Sequence, residues 1–135
     1  MNRDVVLNKS AIIERCIARI HEEYEGKEEN LENYTKQDSI ILNIQRAVEA
    51  SIDLAMHIVS DNALGIPQNT RDAFESIYRK GLIDIELSNR LKAMVGFRNI
   101  AVHEYQSLNL EIVKNVINEN LADIVEFKEK LIKML

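Results

Sequence analysis

Between residues 96 and 105 the chain reads GFRNIAVHEY, and four of these side chains have the types needed for chemistry: Arg98, Asn99, His103 and Tyr105. Arginine is a permanent cation whose planar fork matches phosphate oxygens. Histidine gives or takes a proton near neutral pH. Brought into one site, the two could perform phosphodiester chemistry without a metal.

Each residue also has a structural use. Basic side chains in the last turn of a helix bond its free carbonyls and suit its dipole, which would occupy Arg98 and His103. Asn99 can bond nearby backbone, and the Tyr105 ring can pack over a loop. Geometry restricts the chemical alternative further. On a continuous helix, five residues turn Arg98 and His103 about 140° apart. Either the helix ends or bends between them, or the site takes side chains from two copies of the chain. Gly96, just upstream, would let another backbone come close.

The elements that must position these residues are helical. One proline, four glycines and 5% aromatics in 135 residues favour long helices over sheet, and the length suits one domain with one core, spanning residues 1–135. A first helix is expected from about residue 3 to 25, with Val6, Ile13, Ile17, Ile20 and Tyr24 near one face and Gly26 closing it. The acidic stretch 28–32 reads as a solvated turn. Thr35 is the expected cap of a second helix reaching about residue 61, with Asp38 three positions on and a stripe of Ile41, Ile44, Val48, Ile52, Ala55 and Val59. Gly65 and Pro67 break the chain. Thr70 starts a short helix through Phe74, Ile77 and Tyr78, closed by Gly81. Asp84 caps a fourth with Ile85, Leu87, Leu91, Met94 and Val95, which leads into the opening motif. Asn109 caps a last helix through Leu110, Val113, Ile117, Leu121, Ile124, Phe127 and Leu131. The expected fold is therefore all-α, an up-and-down bundle of about five helices. Ile12, Leu54, Met56, Ile58, Ile112, Val116 and Val125 fall off the main stripes, a surplus that points to a homo-oligomer formed through helix faces.

Charge excludes a nonspecific nucleic-acid coat. The net charge is −5, and Glu22, Glu23, Glu25, Glu28, Glu29 and Glu32 concentrate negative charge in one short stretch. Residues 70–98 are mildly basic through Arg71, Arg79, Lys80, Arg90, Lys92 and Arg98. A sequence-blind binder needs many phosphate contacts, whereas this distribution leaves room for a small local phosphate site. The lone Cys16 permits no internal disulfide and is expected as a small core residue. With no apolar leader and no stretch fit to cross a membrane, the expected location is the cytoplasm.

Glu49, Asp53 and His57 repeat every four residues on the second helix, one turn beyond Arg46. Helical bundles do build metal sites from inward carboxylates and histidines, but the spacing does not fit Glu-x-x-His and no second such motif exists. The reading adopted is no metal and no cofactor. The stripe is instead a solvated or interfacial face, which can border a cleft and position a second copy's motif.

RNIAVHEY also has the form R-x4-H-x-Y, with a polar residue after the arginine. It resembles the signature of the HEPN superfamily, and of its HepT-like toxins in particular. RAVEASIDLAMHIVSDN is similar to that family's long second helix, GIPQNTRDAFESIYRKGLID to its middle hairpin, and LKAMVGFRNIAVHEY to its signature helix. The resemblance covers most of the chain and finds no departure inside the motif.

What it implies is a ribonuclease toxin of a toxin–antitoxin pair: a metal-independent endoribonuclease acting on RNA. Such a protein is a homodimer whose two motifs face one cleft. Its partner is a nucleotidyltransferase-fold antitoxin that transfers AMP to the motif tyrosine, here Tyr105. His103 would be general acid or base, Arg98 would hold the scissile phosphate, and Asn99 would orient Arg98 or donate to the phosphate. The competing expectation is a HEPN-like module without catalysis that binds a partner or senses a nucleotide.

Overall fold

Five helices each begin on an asparagine or aspartate that caps them. In the computed structural model, which describes residues 1–135, Asn2 accepts from the backbone N–H groups of Asp4 and Val5 and starts α1 (Arg3–Tyr24). Asn33 accepts from Lys36 at 3.0 Å and starts α2 (Tyr34–Asp61). Asn69 starts α3 (Thr70–Arg79), and Asp84 starts α4 (Ile85–His103) by accepting from Leu87 at 2.8 Å. Asn109 starts α5, which runs through Leu110–Asn115, a π-helical turn at Val116–Asn120, and Leu121–Lys133. Each such cap satisfies an N–H that would otherwise lack a partner and contributes about 1 kcal/mol.

Two boundaries differ from expectation. Asn33, not Thr35, caps α2, which therefore begins at Tyr34. The acidic stretch is not merely a solvated turn: Glu28–Glu32 forms a 3-10 turn that buries Leu31. Asn30 secures it by donating to the Tyr24 carbonyl at 2.6 Å. The α1 end is left-handed at both Glu25 and Gly26, so the expected glycine is there but shares the turn with its neighbour.

α2 is the central helix. α1 lies along it, and α3, α4 and the C-terminal part of α5 also touch it. Contact on so many sides explains why Leu54 and Ile58 are fully buried rather than surplus, and Val116 is buried at the π-turn of α5. Met56 and Ile112 do remain exposed, and Ile12 and Val125 are half-buried. Ile85, expected on the α4 core stripe, is exposed at that helix's first turn. Phe74 of α3 and Phe127 of α5 meet edge to face at the base of the core, 5.6 Å between ring centres. Cys16 is buried, and desolvation pushes its thiol up despite the nearby Arg15 and Arg46 charges. No helix is long and apolar enough to cross a membrane.

Candidate active site

The motif occupies the last turns of α4 and the connection beyond it. Leu87, Leu91, Met94, Val95, Phe97 and Ala101 bury one side of α4 and fix its rotation. That rotation decides where each polar side chain emerges. Gly96, Asn99 and His103 follow Lys92 at spacings of four, three and four, so they share the exposed side. Arg98 leaves from the core side. Its guanidinium is half-buried and reaches across to donate from Nη1 to Asn99 Oδ1 at 2.9 Å. Its Nε is buried without a hydrogen-bond partner. Arg98 takes part in none of the chain's ion pairs, so its charge is not neutralised by a carboxylate.

α4 is helical without interruption through His103. The helix therefore does not end between Arg98 and His103. Within one chain the two side chains leave the axis about 140° apart. His103, the last helical residue, is exposed.

After His103 the chain turns at Glu104 into a short 3-10 turn, Tyr105–Ser107. This brings the Tyr105 hydroxyl to Asp38 on α2, to which it donates a short hydrogen bond. Burial first, then the hydrogen bond and the negative charge of Asp38, push this hydroxyl up to about 12. The sequence pattern gives Asp38 a place only in a helix cap. Its pairing with a residue 67 positions away has no local signal.

Gly96 also has a different neighbour from the expected one. Its missing side chain makes room for Arg71 of α3 in the same chain: a Cβ on Gly96 would stand 3.0 Å from Arg71 Nη2. Arg71 Nε makes a long hydrogen bond, 3.4 Å, to the Lys92 carbonyl. A second unpaired guanidinium thus rests on the same side of α4 as Asn99 and His103. In the sequence Arg71 is one of several bases in this region, and nothing in the pattern connects it to the motif.

The Glu49–Asp53–His57 stripe turns toward α1. Lys9 pairs with Asp53 at 2.9 Å, and His57 Nε2 accepts from the Asn2 backbone N–H at 3.1 Å. Glu49 and Asp53 line a groove with Lys9, Arg15 and Arg46. No hydrogen bond or ion pair joins the three to residues 98–105. The stripe does share a face of α2 with Asp38, because 38, 42, 46, 49 and 53 recur at spacings of three and four. Leu42 and Met56 are exposed on that same face.

Comparison with known proteins gives a consistent picture. The family model for HepT-like ribonucleases matches residues 13–131. The mRNA nuclease HepT of Shewanella oneidensis is 49% identical over 124 residues, 92% of this chain and 93% of the relative. The solved structure of a tri-AMPylated Shewanella oneidensis HEPN toxin in complex with its MNT antitoxin superposes with a TM-score of 0.90 at 48% identity, covering 97% of this chain and 98% of that one. A toxin–antitoxin structure with AMP-PNP gives a TM-score of 0.92 at 46% identity, covering 96% and 98%.

Proposed function

The chain belongs to the HepT-like ribonuclease family of HEPN proteins, and on that premise we propose that it is the toxin of a toxin–antitoxin pair, a metal-independent endoribonuclease neutralised by adenylation. The observation that carries the proposal is Arg98. It is a half-buried cation with no carboxylate partner, held by Asn99 one turn from the end of a helix that finishes on an exposed histidine. Proteins seldom leave a partly desolvated charge uncompensated, and a substrate phosphate supplies the missing anion.

The reaction is an attack of the RNA 2′-oxygen on the adjacent phosphorus. His103 takes the 2′-hydroxyl proton, or gives a proton to the departing 5′-oxygen, and each such transfer contributes ~10²–10⁴-fold. Arg98 binds the scissile phosphate and stabilises the charge that grows on it. Asn99 orients the guanidinium. The products are a 2′,3′-cyclic phosphate and a 5′-hydroxyl, and the nucleophile belongs to the substrate.

Arg98 and His103 leave one unbroken helix about 140° apart, and in our reading a second copy of the chain completes the site. Exposed Leu42 and Met56 on α2, Ile100 and Val102 on α4, and Ile112 on α5 supply apolar area for that association. In the pair, the Glu49–Asp53–His57 face of α2 borders the cleft. The partner in the cell is a nucleotidyltransferase antitoxin, which transfers AMP to Tyr105. The added phosphodiester places negative charge near Arg98 and fills the cleft, competing with RNA. The site of action is the cytoplasm.

Cleavage of an RNA and of the matching DNA in the presence of a chelator tests the chemistry. The RNA is cut, the DNA is intact, and His103→Ala cuts neither. Similar cleavage of the DNA refutes the mechanism. Growth arrest by His103→Ala equal to that of the wild type, when each is induced alone, refutes catalysis as the toxic activity and favours binding.

A further inference from the structure

Asp38 is exposed on α2 and takes part in no ion pair, and its side chain has one hydrogen-bond partner, the Tyr105 hydroxyl. The two residues come from separate elements, the start of the central helix and the turn after the motif helix. The contact directs the phenolic proton at a carboxylate. Tyr105 itself remains 39% exposed, open to an incoming group.

We propose that Asp38 is the general base for modification of Tyr105, taking the phenolic proton as the tyrosine oxygen attacks the α-phosphorus of a nucleoside triphosphate held by the antitoxin. This rests on the reading of Tyr105 as the AMP acceptor. In the step, the bond from Tyr105 Oη to the α-phosphorus forms and the bond from the α-phosphorus to the bridging β-phosphate oxygen breaks. Pyrophosphate leaves with that electron pair. The phenolic proton passes to an Asp38 oxygen and then to water.

A base is needed because the ionised nucleophile is scarce. A hydroxyl pushed up to about 12 is almost wholly protonated at neutral pH. Burial and the contact with Asp38 together suppress free phenolate, and that contact also takes the proton during attack, when negative charge on the oxygen is passing to phosphorus. General-base assistance of this kind is worth ~10²–10⁴-fold. Asp38 touches the reacting oxygen and so acts on the reaction directly.

The test is the initial rate of AMP addition, followed by intact-mass spectrometry of the purified chain with its purified cognate antitoxin, ATP and magnesium. Wild type, Asp38→Asn, Asp38→Ser and Tyr105→Phe are compared, each first checked for an unchanged melting profile. Tyr105→Phe takes no AMP. Asp38→Asn and Asp38→Ser are slowed by about 100-fold or more. Their rates relative to wild type also recover as pH rises, because phenolate then forms without a base. A role limited to holding the loop gives a ratio that does not change with pH. If wild type and Tyr105→Phe are modified alike, the acceptor reading itself fails. If only Tyr105→Phe is blocked and both Asp38 variants react at the wild-type rate, or show a pH-independent ratio, the acceptor stands and the base assignment is overturned.

Discussion

Arg98 Nη1 donates to Oδ1 of its immediate sequence neighbour, Asn99, at 2.9 Å, and this is the guanidinium's one side-chain partner. Neighbours on a helix point about 100° apart, so the bond exists because the long arginine stem climbs from the core side of α4 toward the exposed side. The neutral amide fixes the fork without cancelling its charge. Removing it costs up to the worth of a hydrogen bond to a charged group, ~1.5–3 kcal/mol. Asn99→Ala is therefore expected to lower RNA cleavage by about ten- to a hundredfold, and Arg98→Ala by more. Asn99→Asp is expected to fall below Asn99→Ala, because a carboxylate there pairs with Arg98 and competes with phosphate. Single-turnover cleavage rates decide it, and Asn99→Ala at the wild-type rate removes Asn99 from the site.

Gly96 sets a second test, in which stability and activity separate. A glycine inside a helix costs about 1 kcal/mol relative to alanine. The group a new Cβ would meet is the far end of Arg71, held only by the long bond to Lys92, so it can yield by a few tenths of an ångström. Gly96→Ala is expected to raise the melting temperature by a few degrees, as about 1 kcal/mol does in a domain this size. If Arg71 lends its charge to the strand bound along α4, cleavage falls in Gly96→Ala and further in Arg71→Ala. A lower melting temperature for Gly96→Ala shows that Arg71 cannot move aside.

Much of this arrangement is legible in the sequence, and the rest is hidden for definite reasons. The helices announce themselves through apolar spacing and caps, and Asp84 and Asn109 cap where the pattern places them. Asn33 rather than Thr35 caps α2, because the chain leaving the 3-10 turn Glu28–Glu32 is extended at Asn33 and already helical at Tyr34. Leu54 and Ile58 look surplus when α2 is drawn with one buried face, and stop looking so once four other helices surround it. The motif residues are named by the sequence, but their orientation is not: that Arg98 starts from the core side depends on which side of α4 the bundle buries. Asp38 and Arg71 reach the site only through tertiary contacts, from α2 and α3, and no local pattern marks them.

The Tyr105–Asp38 contact also predicts a titration. The chain has four tyrosines, and the difference in phenolate absorbance between wild type and Tyr105→Phe isolates this one. It is expected to ionise near about 12. In Asp38→Asn the value falls only part of the way toward the ordinary tyrosine value of about 10, because burial, the larger cause, remains. The sign for stability follows. The folded state holds this proton more tightly than the unfolded state, so the contribution is complete below about pH 10 and is lost as pH rises through about 12. A wild-type Tyr105 that ionises near the ordinary value shows that neither the burial of the hydroxyl nor its contact with Asp38 holds in solution.

The unbroken run of α4 through His103 makes the strongest prediction about assembly. If each chain's Arg98 worked only with its own His103, mixing Arg98→Ala with His103→Ala would restore nothing, since every chain lacks one of the two. If the working pair spans two copies, the mixed dimer has one intact combination: the arginine of the His103→Ala chain and the histidine of the Arg98→Ala chain. Recovery of at least a tenth of wild-type cleavage is then expected after subunit exchange, a deficit of about 1.4 kcal/mol or less. Native mass spectrometry verifies that mixed dimers have formed. Mixed dimers without cleavage place the working arginine and histidine in one protomer, with the long Arg98 side chain reaching the side of α4 that carries His103.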